Sequence, residues 1–256
     1  MSGFAVRHHP PLMALMVALM LTGCVDHVGL YRERGKSRFL LYEPYVADLG
    51  RADRDLKDGF IFSVITDEKI VALTFDDGPS ENTEKIVSTL KRLGCPATFF
   101  LVAANLSPVT VEPYRNSLFR TEVHGHSHDH SPPLGMETRF ADVARARAAF
   151  ASLGISPSYF RPPYGEIDAE LLNALRANGL TGMLWSLDSL DWNHLSGNDL
   201  VDRVVSNIRN GDIILCHETS WTADVLEKII TGIRAKGFNI VQLEYLLTFL
   251  KSPSPQ

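Results

Sequence analysis

The sequence predicts an α/β fold in which short parallel strands, each followed by a covering helix, curl toward a distorted (β/α) barrel. Two observations carry this expectation. Apolar runs of five or six residues (Ala97–Val102, Thr181–Ser186, Asp212–Cys216) alternate with amphipathic stretches (Val109–Phe119, Asp199–Ile208, Ala223–Ala235). That rhythm implies parallel strands joined through helices, and strands this short and numerous suit a barrel better than an open sheet. In either architecture a site belongs at the carboxyl ends of the strands.

A lone formal positive charge, Arg7, precedes the apolar stretch Leu12–Leu21. Ten apolar residues fall short of the roughly 20 a membrane helix needs, so residues 1–23 read as a secretory signal. The stretch ends in Leu21-Thr22-Gly23-Cys24, which resembles the bacterial lipoprotein processing box. That resemblance implies cleavage before Cys24 and lipid attached to its sulfur, which leaves 256 − 23 = 233 residues on the envelope side of a membrane. Val25, rather than Asp, follows the cysteine, which favours the outer membrane facing the periplasm.

Residues 24–59 are polar and charge-dense, with Arg32, Arg34, Lys36 and Arg38 followed by the Arg51–Asp58 cluster, and they read as a tether. A globular domain spans residues 60–251, with 252–256 a short tail. It opens with Phe60–Ile65 and Ile70–Phe75, two β-branched and aromatic runs separated by Thr66-Asp67-Glu68-Lys69, which predict a hairpin. Glu81–Leu93 then places Ile86, Leu90 and Leu93 at helical spacing and stops at Gly94, a usual helix terminator.

Composition bounds the function. An apolar content of 45% supports a proper core, and the formal net charge of −5 gives the wrong field for gripping a phosphate backbone. Nucleic acid is excluded as a partner, and the chain is read as a monomer.

The unusual residues fall where predicted strands end. Asp76-Asp77-Gly78-Pro79 closes the Ile70–Phe75 run with two adjacent carboxylates and a turn. His124, His126, His128 and His130 alternate within seven residues of a chain holding nine histidines, and any two spaced four apart can converge on a metal ion. Further on come Arg161-Pro162-Pro163-Tyr164-Gly165, then Asp188-Ser189-Leu190-Asp191-Trp192, then Leu215-Cys216-His217.

These five segments, in this order, resemble the motifs of the polysaccharide deacetylases of carbohydrate esterase family 4, the NodB-homology domain. The match covers about Phe60–Leu250. The resemblance implies a distorted (β/α) barrel of the NodB type, a divalent metal cofactor of the zinc kind (cobalt, nickel or manganese also fitting), and hydrolysis of acetyl groups from a polysaccharide. It implies Asp77, His126 and His130 as metal ligands, because Ser127 follows His126 as Ser or Thr follows the first ligand in the family, and the interval from Phe100 agrees. His124 is then a strand-end residue and His128 lies between the ligands. The resemblance further makes Asp76 the base, with Arg161 beside it, places the Tyr164 backbone N–H at the oxyanion, and makes His217 the acid, oriented by Asp191. Trp192 and Leu215 would enclose the acetyl methyl.

The chemistry asks for the same parts. Amide hydrolysis at neutral pH needs an activated water, stabilisation of the oxyanion and an acid for the leaving amine. Gly125 departs from the family, where Asn commonly precedes the first metal histidine, and Ser131-Pro132 replaces a Pro directly after the second. Peptidoglycan is the first substrate on grounds of location, with chitin and poly-N-acetylglucosamine next. An O-acetyl (xylan-type) esterase and a non-catalytic glycan-binding lipoprotein are the alternatives. Cys95 begins one strand and Cys216 ends another, so no disulfide joins them, and Cys216 lies on the opposite face from Leu215 and His217.

The lipoprotein reading makes a direct prediction. Cys24→Ser removes the only sulfur that can take the lipid, so the variant is expected to leave the membrane fraction and to lose the mass of the acyl chains. Unchanged fractionation and mass would require a different anchor.

Overall fold

The computed structural model describes residues 28–33, 36–41, 56–57, 59–128, 136–193, 195 and 197–250. The signal, Cys24, His130 and the tail lie outside them. Among the described residues no helix is long and apolar enough to cross a membrane. The chain divides into two compact units, residues 1–50 and 51–256.

The first unit holds a strand pair within the segment read as a tether. Strands β1 (Val28–Glu33) and β2 (Lys36–Leu41) pair antiparallel, with Val28 opposite Leu41 and Glu33 opposite Lys36. The charges masked a period-two alternation, with Val28 and Leu30 in one segment and Phe39 and Leu41 in the other, and such alternation is a strand signal.

The second unit is a curled parallel barrel. Its strands are β3 (Leu56–Lys57), β4 (Phe60–Ile61), β5 (Ile70–Gly78), β6 (Ala97–Leu101), β7 (Phe119–Val123), β8 (Tyr159–Phe160), β9 (Thr181–Met183), β10 (Leu187–Asp188), β11 (Ile213–His217) and β12 (Asn239–Val241). Their spatial order is β10-β11-β5-β6-β7-β8-β9-β4-β3, with β12 pairing β5. Except for β3, which runs antiparallel to β4, every paired neighbour in this sheet is parallel. The helices are α1 (Thr83–Arg92), α2 (Met136–Ser152), α3 (Ala169–Ala177), α4 (Gly197–Asn207), α5 (Ser220–Ala235) and α6 (Leu243–Leu247). The predicted fold class is the observed one, and the expected stop at Gly94 is present with φ +54°.

Three local expectations are corrected. Phe60–Ile65 and Ile70–Phe75 do not form a hairpin: β4 pairs with β9, whereas β5 lies at the centre of the sheet between β11 and β6. Apolar alternation marks a strand but leaves its partner open, and both faces of β5 are buried as in a central parallel strand. Val109–Phe119 is not a helix but turns around one short 3-10 segment, Glu112–Tyr114, where Pro113 removes a backbone donor. Thr181–Ser186 is strand only to Met183. It then crosses toward β10, with the Leu184 N–H on the Ile61 carbonyl at 2.7 Å and the Ser186 N–H on the Ile213 carbonyl at 3.0 Å.

That crossing carries the ladder from β4 to β11 and brings the barrel close to closure. A second tie lies near the strands' amino ends, where the Val64 N–H bonds the Gly211 carbonyl and the Gly211 N–H bonds the Ile70 carbonyl, each at 2.9 Å. Two-residue alternation sorts the side chains. Phe75 and Phe99 stack with centroids 5.2 Å apart, and Phe99 meets Tyr114 and Phe119 edge-on at 4.8 and 5.4 Å. Thr74 and Asp76 point to the other face, into the barrel mouth. Glu122, almost fully buried, fastens β8 to β7 by accepting the Ser158 and Tyr159 N–H groups at 2.7 Å each. Cys95 and Cys216 are buried free thiols, as expected.

Gly211 tests the lower tie. It holds φ +78°, and a Cβ there would overlap the Val64 carbonyl oxygen. Gly211→Ala is therefore expected to cost about 2–4 kcal/mol, from left-handed strain together with a displaced backbone hydrogen bond, read as a lower midpoint in urea. An unchanged midpoint would mean that the barrel closes without this contact.

Candidate active site

The site is assembled at the carboxyl ends of β5, β7, β8, β10 and β11. Arg161 is its centre, fully buried directly after β8. Its Nη1 donates to Thr74 Oγ1 and to Asp76 Oδ1 at 2.8 Å each, and its Nη2 donates to the Leu184 carbonyl at 2.8 Å. The guanidinium also lies 4.0 Å from the Phe100 ring centroid. A buried cation needs this degree of pairing, and Asp76, only 2% exposed, is held in one orientation by it.

The residue after Asp76 faces a different set of partners. Asp77 takes φ +72°, and its Oδ1 lies 2.9 Å from His128 Nε2 and 3.3 Å from His124 Nε2. The ligand atoms of Asp77, His124 and His128 all fall within 4.8 Å of one another. Burial pushes the Asp77 carboxyl up, but the two adjacent imidazoles outweigh it and keep the group well below the usual carboxylate range. Side-chain bonding to Asp77, against the opposing effect of burial, moves the His128 imidazole upward. His124 Nδ1 donates to the Arg161 carbonyl at 2.8 Å, which orients the ring so that Nε2 faces Asp77. One carboxylate and two imidazole nitrogens, one of them oriented through its other nitrogen, fit a zinc-type divalent ion.

The expectation that His126 joins Asp77 is corrected. His124 stays in the ladder, its N–H bonded to the Leu101 carbonyl at 2.9 Å, and so reaches the barrel mouth directly from β7. Gly125, at φ +73°, turns the chain, and His126 points to Arg145 of α2, 3.0 Å from its Nη2. His128, at φ +55°, turns back to Asp77. The expected partner His130 lies outside the described residues. Both pairs share the same spacing, so spacing could not choose between them. The usable signal was position, because His124 directly follows a strand in a fold that builds its site there.

The fifth segment supplies a second dyad. His217 stands opposite Asp76 in the β5–β11 register. Its Nδ1 is 2.7 Å from Asp191 Oδ1, and its backbone N–H donates to Asp191 Oδ2 at 2.7 Å. Burial alone would pull the imidazole down, but the Asp191 charge and hydrogen bond dominate and its pKa is pushed up to about 9. Asp191 is correspondingly lowered despite its own burial, which opposes the shift, and it takes a further bond from Thr222 Oγ1, a residue that sequence reasoning missed.

The remaining expected residues line the rim and wall. Tyr164 is half-exposed at φ +58°, its ring 4.8 Å from His128. Trp192 is 46% exposed and donates Nε1 to Asp188 Oδ2 at 3.4 Å. Leu215 is buried opposite Thr74 in register.

A (β/α) barrel bearing a carboxylate–imidazole cluster flanked by a buried aspartate and an aspartate-oriented histidine has the parts of a hydrolase site. Comparison with known proteins narrows it. Residues 63–183 match the polysaccharide deacetylase family. The chain is 32% identical over 196 residues to a peptidoglycan-N-acetylglucosamine deacetylase of Bacillus cereus, covering 73% of this chain and 71% of that protein. It is 34% identical over 173 residues to a bifunctional xylanase/xylan deacetylase of Cellvibrio japonicus, covering 65% of this chain but spanning only 26% of that longer protein. Among solved structures, the family 4 carbohydrate esterase of Streptomyces lividans in complex with acetate superposes with a TM-score of 0.65 at 32% identity, covering 68% of this chain and 93% of that one. The chain belongs to the polysaccharide deacetylase family.

The geometry predicts which histidines bind metal. His124→Ala and His128→Ala are expected to lose stoichiometric zinc, and His126→Ala to retain it, since losing one of three protein ligands typically cripples such a site. Metal content of the purified variants decides, and zinc lost only from His126→Ala would reverse the assignment.

Proposed function

We propose that this protein is a metal-dependent deacetylase that removes acetyl groups from an N-acetylated cell-envelope polysaccharide. The observation that carries the reading is the flanking of the Asp77–His124–His128 cluster by two groups fixed for opposite proton tasks. Asp76 is held by Arg161, and His217 by Asp191. Binding a glycan alone would not require both.

The division of labour follows from these contacts. Asp77, His124 and His128 would hold the ion, which supplies Lewis acidity toward water and the acetyl carbonyl when bound. Asp76 accepts the proton of the attacking water. Its other oxygen engages the Arg161 guanidinium, which fixes which lone pair faces the substrate. The Tyr164 backbone N–H is the expected donor to the developing oxyanion. His217 keeps Nδ1 on Asp191, so Nε2 delivers the proton to the departing nitrogen, and a pKa of about 9 keeps the ring protonated at neutral pH. Leu215 and Trp192 form the wall against which the acetyl methyl rests.

The B. cereus relative is named for peptidoglycan N-acetylglucosamine, and the resemblance of Leu21–Cys24 to a lipoprotein signal supports the same polymer as the substrate of a lipid-anchored envelope protein. The C. japonicus relative is named for xylan, which favours O-acetyl xylan as the second reading.

The protein lacking residues 1–23 is expected to release acetate from N-acetylglucosamine polymers, to stop after chelation and to resume with Zn²⁺ or Co²⁺. Asp76→Asn is expected to keep the metal while lowering kcat about 10²–10⁴-fold, because an amide cannot accept the proton. Parallel assays on peptidoglycan and acetylated xylan rank the two substrates. Full activity after verified metal removal, or in Asp76→Asn, would overturn the mechanism.

A further inference from the structure

We propose that Glu218 is a positioning residue that clamps the turn carrying Asp76 and Asp77, a role that rests on the deacetylase reading for what those two carboxylates do. Glu218 follows His217 and is 4% exposed, a carboxyl taken out of water beside the site. Groups of this kind are retained only when their oxygens are satisfied. Three hydroxyls satisfy these: Tyr114 donates to Oε1 at 2.7 Å, and Thr83 and Ser80 donate to Oε2, the latter at 3.4 Å. Burial still pushes the carboxyl upward.

The carboxyl lies against the Cα of Gly78. A Cβ at that position would overlap Glu218 Oε1 and stand 2.6 Å from Tyr114 Oη, so the glycine between Asp77 and Pro79 is where the clamp seats. The Glu218 backbone grips the same turn from both ends. Its N–H donates to the Asp76 carbonyl at 3.1 Å, and its own carbonyl accepts from Ser80 Oγ at 2.9 Å and Asn82 Nδ2 at 3.1 Å. The Gly78 carbonyl is held from the far side by the Val102 N–H at 2.8 Å.

The residue so enclosed is Asp77, whose φ of +72° is sparsely populated for a side chain other than glycine. Such a conformation persists only where the surroundings over-determine it. Glu218 supplies that constraint from the strand that also carries His217, so one residue fixes the spacing between the base, the metal carboxylate and the acid. The Glu218 carboxyl contacts the turn's backbone and its hydroxyls, and it acts through the turn.

The test compares the wild type, Glu218→Ala, Glu218→Gln and the remote core variant Leu175→Ala at a temperature where all are folded. Three readouts are taken: hydrogen exchange of residues 76–82, the absorption spectrum and affinity of bound Co²⁺, and kcat with KM. Glu218→Ala is expected to speed exchange in that segment, weaken and alter the cobalt signal, and lower kcat about 10²-fold while KM moves less than about threefold, the signature of misplaced groups rather than lost binding. Glu218→Gln keeps an acceptor for Tyr114 and restores most of each readout, whereas Leu175→Ala leaves all three near wild type. Tyr114→Phe, which removes one hydroxyl, moves them in the same direction by less and replaces the alanine variant if that does not fold. Wild-type exchange and cobalt spectra in Glu218→Ala, or equal changes in Leu175→Ala, would overturn the proposal. An inactive wild type would instead overturn the deacetylase reading, and the exchange readout would still decide the clamp.

Discussion

The buried guanidinium of Arg161 is the constraint on which the rest of the site depends. A fully buried cation carries a desolvation cost of several kcal/mol, offset only when geometry and hydrogen bonding are both good. Here its donors reach Thr74 and Asp76 on β5 and the Leu184 carbonyl on the crossing between β9 and β10. The backbone carbonyl of the same residue orients His124. One residue, through its side chain and its carbonyl, thus couples the closure of the barrel, the direction of Asp76 and the orientation of His124.

A second constraint is the two-residue period of the strands. It places Thr74, Asp76, Leu215 and His217 on one face, so the proposed base and acid share the barrel mouth directly from neighbouring strands. Asp77 cannot join them by strand geometry, being the next residue along. Its left-handed backbone turns it to the cluster, and the adjoining glycine lets the Glu218 carboxyl pack beneath. Adjacent carboxylates are therefore separated in role by backbone conformation, one against Arg161 and the other against two imidazoles.

Much of this was legible in the sequence, and the losses have physical causes. The five strand-end segments and the helix stop at Gly94 follow from local chemistry that tertiary context left alone. The partner of Phe60–Ile61 did not follow, because apolar alternation is the same whether a strand meets its neighbour in sequence or one more than a hundred residues away. Val109–Phe119 failed as a helix at Pro113. The choice of His124 with His128 depended on two backbone reversals, at Gly125 and His128, and on the carbonyl of Arg161, none of which a run of alternating histidines encodes. Thr222 and Glu218 carry no motif at all: the Thr222 hydroxyl donates to the buried Asp191 carboxylate, and Glu218 is itself a buried carboxyl satisfied by three hydroxyls.

The central claim is that the ion-binding set is the one nearest the strand ends. Zinc-edge anomalous diffraction from crystals of the zinc-loaded protein tests it most directly. The account predicts a single strong peak within coordination distance of Asp77 Oδ1, His124 Nε2 and His128 Nε2, with Asp76 outside that distance and bonded to Arg161. A peak bounded by His126 and His130 instead would contradict it.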